Sequence, residues 1–135
     1  MSGLVLKLGP KERVLVNGAV IENGDRRTRL FVKTPEARIL RLRDAIHPTQ
    51  ATTPVRRACY LAQLLLSGDA AAAEVRDRLL RRIEELSQVL RDPDSRALLA
   101  QAGASLVQEE HYHCLKALRA LLPREERLLA HRESA

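Results

Sequence analysis

Aromatic residues are scarce in this chain of 135 residues, which contains one Phe, two Tyr and no Trp. A core must therefore be packed from aliphatic side chains, and we expect no RRM-type sheet that stacks bases on several rings. Cysteine is equally scarce: Cys59 and Cys114 lie far apart and fit no disulfide framework. The shortage of cysteine argues against a disulfide-stabilised secreted domain.

Long hydrophobic runs are also missing. The longest uncharged apolar stretch, around residues 58–66, is less than half the length that spans a bilayer. The first residues lack the basic and apolar segments of a secretory signal. We therefore expect a cytoplasmic protein with reduced thiols and no membrane partner.

Positive charge is abundant and unevenly placed. The chain carries a net charge of +6, with apolar residues at 45% and charged residues at 30%, the composition of a folding chain. Residues 1–50 hold 10 basic and 5 acidic residues, whereas residues 51–135 hold 13 and 12. Basic charge concentrated in one module is expected for a polyanion partner, although it also serves solubility.

The first 50 residues follow the pattern of short β-strands. Turn residues separate five strand-like runs, which begin at Leu4, Arg13, Ala19, Thr28 and Ala37. Asn17-Gly18 predicts a tight hairpin, and Asn23-Gly24 predicts a second turn with positive φ. We expect a small five-stranded antiparallel β-module over residues 1–50.

From residue 51 the apolar spacing becomes helical. Thr53-Pro54 and Asp92-Pro93 each place an N-cap before a proline. The second helix should bury one stripe, and the third should be short and end near Gly103. Ser105 then resembles the cap of a further helix that carries Val107, Cys114, Leu118 and Leu121. We therefore predict an α+β protein with a helical module of four to five helices over residues 51–135.

Catalytic and cofactor motifs are not apparent. The chain has no GxGxxG, Walker or HExxH motif, and its paired glutamates are adjacent, so they diverge on a helix. His111 and Cys114 share a helix face and could offer two metal ligands, but four are needed for a structural zinc site. We predict a protein that is not an enzyme and holds no cofactor, with a metal site at His111 and Cys114 as the alternative.

Arginine and lysine in the β-module are the strongest candidates for a functional site. Their guanidinium and ammonium groups can neutralise phosphates, and arginine also hydrogen-bonds to base edges. Alternation places Arg41 and Arg43 on one strand face, both exposed. The candidate RNA-binding residues are Lys7, Arg13, Arg26, Arg27, Arg29, Arg41 and Arg43.

One segment is similar to a known family. The run Val16-Asn-Gly-Ala-Val-Ile-Glu-Asn-Gly-Asp-Arg-Arg27, followed by Ala51-Thr-Thr-Pro-Val-Arg56, resembles the FlbT family of flagellar regulators, as does the helical stretch from Glu110 to Leu122. The resemblance implies a post-transcriptional regulator that binds the 5′ untranslated leader of flagellin mRNA, represses translation and promotes decay of the message. It also implies FlaF as a partner, with flagellin as a further candidate.

A second resemblance concerns the end of the β-module. Residues 32–46 are similar to the last strand of CsrA-type RNA-binding modules, which form intertwined dimers whose first and last strands make the RNA site. In that likeness Arg43 and Leu6 match site positions, whereas Leu8-Gly9 stands where that family has a basic pair. The resemblance implies a homodimer through the β-module.

The sequence also allows an alternative function. The apolar stripes of the helical module would suit a protein-interaction adaptor in flagellum assembly that acts through FlaF or flagellin.

Overall fold

The computed structural model describes residues 4–17, 19–35, 37–42, 45–67 and 72–134. The chain divides into two compact units, residues 1–45 and 46–135. The sequence-based division lies at residue 51. The described residues form an α+β protein with antiparallel strands followed by helices, which confirms the predicted fold class.

Five strands and five α-helices occur within the described ranges. The strands are β1 Leu4–Leu8, β2 Arg13–Val16, β3 Ala19–Glu22, β4 Thr28–Val32 and β5 Ile39–Arg41. A 3-10 helix, Pro48–Gln50, precedes α1 Pro54–Ser67, α2 Ala72–Val89, α3 Pro93–Val107, α4 His111–Arg119 and α5 Leu122–Ser134.

The strands of the first unit form two small antiparallel sheets. One sheet pairs β1 with β4, and the other has the order β3-β2-β5. Their apolar side chains meet in one cluster built on Leu6, Leu8 and Val14, against which Val16, Leu30, Val32 and Ile39 pack. Because side chains alternate along a strand, this arrangement leaves the opposite face of the β1–β4 pair to solvent.

The predicted β2–β3 hairpin is confirmed. Val16 and Ala19, at the adjoining ends of β2 and β3, are register partners in an antiparallel pair. Asn17 has φ 49°, the left-handed conformation that tight hairpin turns require. Gly18 itself lies outside the described residues.

The predicted second turn is wrong in its conformation. Asn23 is not among the described non-glycine residues with positive φ, and Gly24 does not lie in the left-handed region either. Instead the Asn23 side chain holds the turn by hydrogen bonds. Its Nδ2 donates to the carbonyls of Gly9 at 2.7 Å and Arg26 at 2.9 Å, and its Oδ1 accepts from the Thr28 hydroxyl at 2.8 Å. The segment therefore connects two sheets and does not close a hairpin.

In the second unit α1 packs against α2 and α4, and α3 packs against the same two helices, while α5 contacts α1. The predicted apolar stripe of α2 is buried, and it comprises Val75, Leu79, Ile83, Leu86 and the following Leu90. Gln63 of α1 fixes the first residue of this unit, Ile46, by two hydrogen bonds. Its side-chain amide nitrogen donates to the Ile46 carbonyl, and its amide oxygen accepts from the Ile46 N–H.

The two predicted proline-bearing helix starts are confirmed. The hydroxyl of Thr53 accepts from the N–H of Arg56 at 3.2 Å, and the carboxylate of Asp92 accepts from the N–H of Ser95 at 3.0 Å. Each side chain satisfies an N–H that has no partner within the helix.

The predicted end of the third helix is wrong. Helix α3 continues through Gly103 to Val107, because Leu99, Ala102 and Leu106 bury one continuous stripe. Ser105 therefore lies inside α3 and caps nothing, and Val107 is exposed. The helix ends in a Schellman motif: the N–H of Glu110 donates to the Ser105 carbonyl and the N–H of Glu109 to that of Leu106. Glu109 takes the left-handed conformation there, with φ 60°.

No helix in the described part of the chain is both long enough and apolar enough to cross a membrane.

Candidate nucleic-acid interface

A basic cleft lies at one end of the β1–β4 pair. It has a volume of about 590 Å³ and is open to solvent, and four of the predicted RNA-binding residues contribute to it. Its lining consists of Lys7, Leu8, Gly9, Glu12, Arg27, Thr28, Arg29 and Arg41. The end of β1, the start of β4 and the end of β5 bring these side chains together.

Two of these cations face each other across the sheet. Lys7 of β1 and Arg29 of β4 are register partners, and both are exposed. Like charges directly opposite each other on one sheet face destabilise the pairing of their strands. Neither residue, nor Arg27 beside them, forms an ion pair with a carboxylate anywhere in the described ranges. The cleft therefore carries an uncompensated positive field.

Arg41 is held differently, and the expectation that it is exposed is wrong. Its guanidinium donates to both carboxylate oxygens of Glu12, at 2.7 and 2.9 Å, and to the carbonyl of Lys7. The side chains of Arg41 and Glu12 are only 24% and 11% exposed. The Glu12 carboxylate also accepts from the N–H of Gly9 at 3.0 Å. This bidentate pair fixes β5 to the β1–β2 turn, so Arg41 supports the cleft wall structurally.

Arg13 does not line the cleft. Its Nε lies 2.8 Å from a carboxylate oxygen of Glu22, its register partner on β3. The hydrogen bond and the charge of Arg13 lower the pKa of the Glu22 carboxyl. The pair is solvent-exposed and its positive charge is compensated.

Arg26 and Arg43 complete the predicted set. Arg26 is exposed in the turn before β4, and its carbonyl accepts from the Asn23 side chain. Arg43 lies outside the described residues.

Glu12 was missed by sequence reasoning. An acidic residue within a basic module gives no sign of a binding role, and its pairing with Arg41 spans 29 positions of sequence. The one available signal was its place in the turn after β1, where a carboxylate can accept from backbone N–H groups.

The two cysteines belong to the helical core. Cys59 of α1 and Cys114 of α4 are both free and fully buried. Burial raises the pKa of each thiol to about 12. Among the described residues, no group of three or more His, Cys, Asp or Glu side chains is placed to hold a metal ion.

Fold and site together define a two-unit α+β protein whose β-rich unit presents a cationic cleft. The family described as "Flagellar protein FlbT" matches residues 4–129, which is nearly the whole chain. The chain belongs to this FlbT family.

Similar proteins include the "Probable flagellum biosynthesis repressor protein FlbT" of Caulobacter sp. (strain K31), which is 33% identical over 128 residues, covering 95% of this chain and 97% of that protein. The "Flagellum biosynthesis repressor protein FlbT" of Caulobacter vibrioides is 30% identical, covering 95% and 90%. A relative from Rhodopseudomonas palustris is 34% identical, covering 94% and 98%. No solved structure matches the chain significantly.

Proposed function

We propose that this protein is a post-transcriptional regulator of flagellin synthesis. It binds the 5′ untranslated leader of flagellin mRNA in the cytoplasm, represses translation and promotes decay of the message. The family supports the regulatory part of this proposal, because its relatives are named as repressors of flagellum biosynthesis. FlaF is proposed as its protein partner.

The observation that carries RNA binding is the facing pair of Lys7 and Arg29. Holding these like charges opposite each other costs stability that no described carboxylate offsets. A polyanion in the cleft offsets this repulsion, and each neutralised phosphate releases condensed counterions. Arg27, on the same cleft wall, adds a third cation. A leader held in this way is blocked from the ribosome and left open to nucleases.

A salt titration tests the proposal. We expect the protein to bind a fluorescein-labelled flagellin leader RNA with an affinity that falls steeply as salt rises. The slope is that of the logarithm of the binding constant against the logarithm of the salt concentration. Replacing Lys7, Arg27 or Arg29 singly by Gln should reduce its magnitude by about 0.7, the value for one single-strand phosphate contact.

The control for this titration is Arg96→Gln, which removes an exposed arginine from helix α3. That variant should keep the slope of the parent. Absence of binding at low salt, or equal slopes for all four variants, would contradict the proposal.

One observation favours the adaptor alternative. An apolar groove of about 390 Å³ runs between the start of α1, the end of α2 and α5, and it is open at Val89, Leu128 and Leu129, all of which are exposed. A groove of this kind suits the apolar face of a partner helix. If the adaptor function is correct, Leu128→Glu should abolish FlaF capture by the purified protein and leave RNA binding unchanged.

The proposed homodimer has a candidate surface in β3. This strand lies at the edge of its sheet and exposes Val20 and Ile21. Exposed apolar edge strands favour pairing with another chain. Sedimentation of the parent and a Val20→Lys variant tests this; a parent that is monomeric at micromolar concentration would contradict it.

A further inference from the structure

The outer face of the β1–β4 pair combines apolar and cationic side chains. Alternation directs Leu6 and Leu8 into the core and leaves Val5 and Lys7 outside. On β4 the residues opposite them, Phe31 and Arg29, also face outward. We call this set of four residues the outer face.

Phe31 is the most conspicuous member of the outer face. It is the only Phe in the chain, and it is 66% exposed although the core beside it is built from Leu, Val and Ile. Its register partner Val5 is 47% exposed. Contiguous apolar surface rimmed by polar residues is typical of interaction sites, and Val5 and Phe31 lie side by side next to the charged Lys7–Arg29 pair.

The spacing of the outer face places the ring next to the cations. Phe31 follows Arg29 by two positions on the same side of the strand, so their Cα atoms lie about 7 Å apart. Lys7 and Arg29 also line the basic cleft. The face and the cleft are therefore one continuous surface with an aromatic end and a cationic end.

The charges decide which ligand fits this surface. A second copy of the outer face would add two more cations, its own Lys7 and Arg29, and no carboxylate, so the two faces would carry the same charge. A nucleotide offers complementary chemistry, because it carries a flat π-face and an anionic phosphate. Only an unpaired nucleotide exposes that π-face, since bases in a duplex stack on each other.

We propose that Phe31 stacks on an unpaired base of RNA whose phosphates are held by Lys7 and Arg29. This inference rests on the proposed function and deepens it, because it makes the ligand single-stranded. One ring suffices for this role, so it differs from the multi-ring sheet that the composition excludes. Stacking depends little on salt, whereas phosphate contacts depend on it strongly, and this contrast separates the two contributions.

The test uses the full chain and a labelled single-stranded oligonucleotide of the flagellin leader. Phe31→Ala should weaken binding roughly 5- to 150-fold, the range for loss of one stacked base, while leaving the salt slope unchanged. Phe31→Leu should also weaken binding, because it keeps apolar bulk without a ring. Phe31→Tyr should restore the affinity of the parent. The control is Val107→Ala, which removes an equally exposed apolar side chain from the end of α3 and should bind like the parent.

A duplex of the same sequence supplies a second comparison. The parent should bind it more weakly than the single strand, and Phe31→Ala should bind the duplex as the parent does. Equal affinity of Phe31→Leu and the parent for the single strand would overturn the inference, as would equal parental affinity for duplex and single strand. A change of oligomeric state in RNA-free Phe31→Ala would also overturn it, by making the face a protein interface. If the parent itself bound no RNA, the proposed function would be contradicted instead.

Discussion

Glu125 stabilises the start of a helix that lies about 70 positions earlier in sequence. Only 8% exposed, it sits in the first turn of α5 and accepts hydrogen bonds from the N–H of Val55, at 2.9 Å, and from the hydroxyl of Thr53. Its carboxylate therefore lies at the N-terminus of α1, where the helix dipole favours negative charge.

Glu125→Ala should destabilise the protein by about 2–4 kcal/mol. The buried N–H of Val55 would lose its partner, which costs about 1–3 kcal/mol. The lost charge at the helix N-terminus adds about 0.3–1 kcal/mol, and up to about 2 in a buried setting. Glu125→Gln keeps the volume and one acceptor oxygen, so we expect a loss of about 1 kcal/mol.

Urea unfolding followed by circular dichroism at 222 nm measures these losses. The midpoint for Glu125→Ala should fall by roughly 1–2 M if the slope is about 2 kcal/mol per M. The neighbouring Glu126 provides a control, because it is largely exposed and lies 3.7 Å from Arg56. Its replacement by Ala should cost no more than about 0.5 kcal/mol. The reasoning would be refuted by a Glu125→Ala protein as stable as the parent, or by equal losses for both variants.

Two further outcomes follow from the ion pairs and caps. Arg41→Ala removes the guanidinium that pairs with the Glu12 carboxylate, so the first unit should lose about 1–3 kcal/mol of stability. Hydrogen exchange of the β2 and β5 amides should then be faster than in the parent. Unchanged exchange would argue against this role of Arg41. Ser95 lowers the pKa of the Asp92 carboxyl, through its nearby side chain and through its N–H, which donates to that carboxyl at 3.0 Å. The stabilising contribution of Asp92 is therefore present above the ordinary carboxyl pKa and is lost as the pH falls through the lowered one. The urea midpoint of the parent should therefore exceed that of Asp92→Asn at about pH 6 and approach it near pH 2; a constant difference across this range would contradict the assignment.

Local signals predicted the β2–β3 hairpin and the two proline-bearing helix starts because each depends on a few adjacent residues. Asn17 in the left-handed conformation and Asp92 as a cap both act within three positions of themselves. The end of α3 was not predicted, because the usual local signal for a helix end is missing there. Glu109 occupies a position usually held by glycine, and the buried stripe through Leu106 outweighs the weak helix preference of Gly103.

The candidate site was predictable only as a set of charges. Composition placed the excess positive charge in the first 50 residues, yet it could not separate cations that are free to bind from those that are held. Arg13 is paired by its register with Glu22, and Arg41 by a contact across 29 positions. Composition likewise gave no sign that Phe31, the one Phe of the chain, would be exposed, because its position on the outer face depends on the pairing of β4 with β1.

The sequence by itself determined the order of strands and helices, the aliphatic character of the core and the concentration of positive charge near its beginning, because these follow from composition and from periods of two and 3.6 residues. Tertiary structure alone decided which charges are compensated and which side chains meet. Lys7 and Arg29 face each other only because β1 pairs with β4, and Glu125 reaches the start of α1 only because α5 packs beside it. Such contacts join residues that are distant along the chain, and short-range sequence patterns do not show which distant residues meet in the fold.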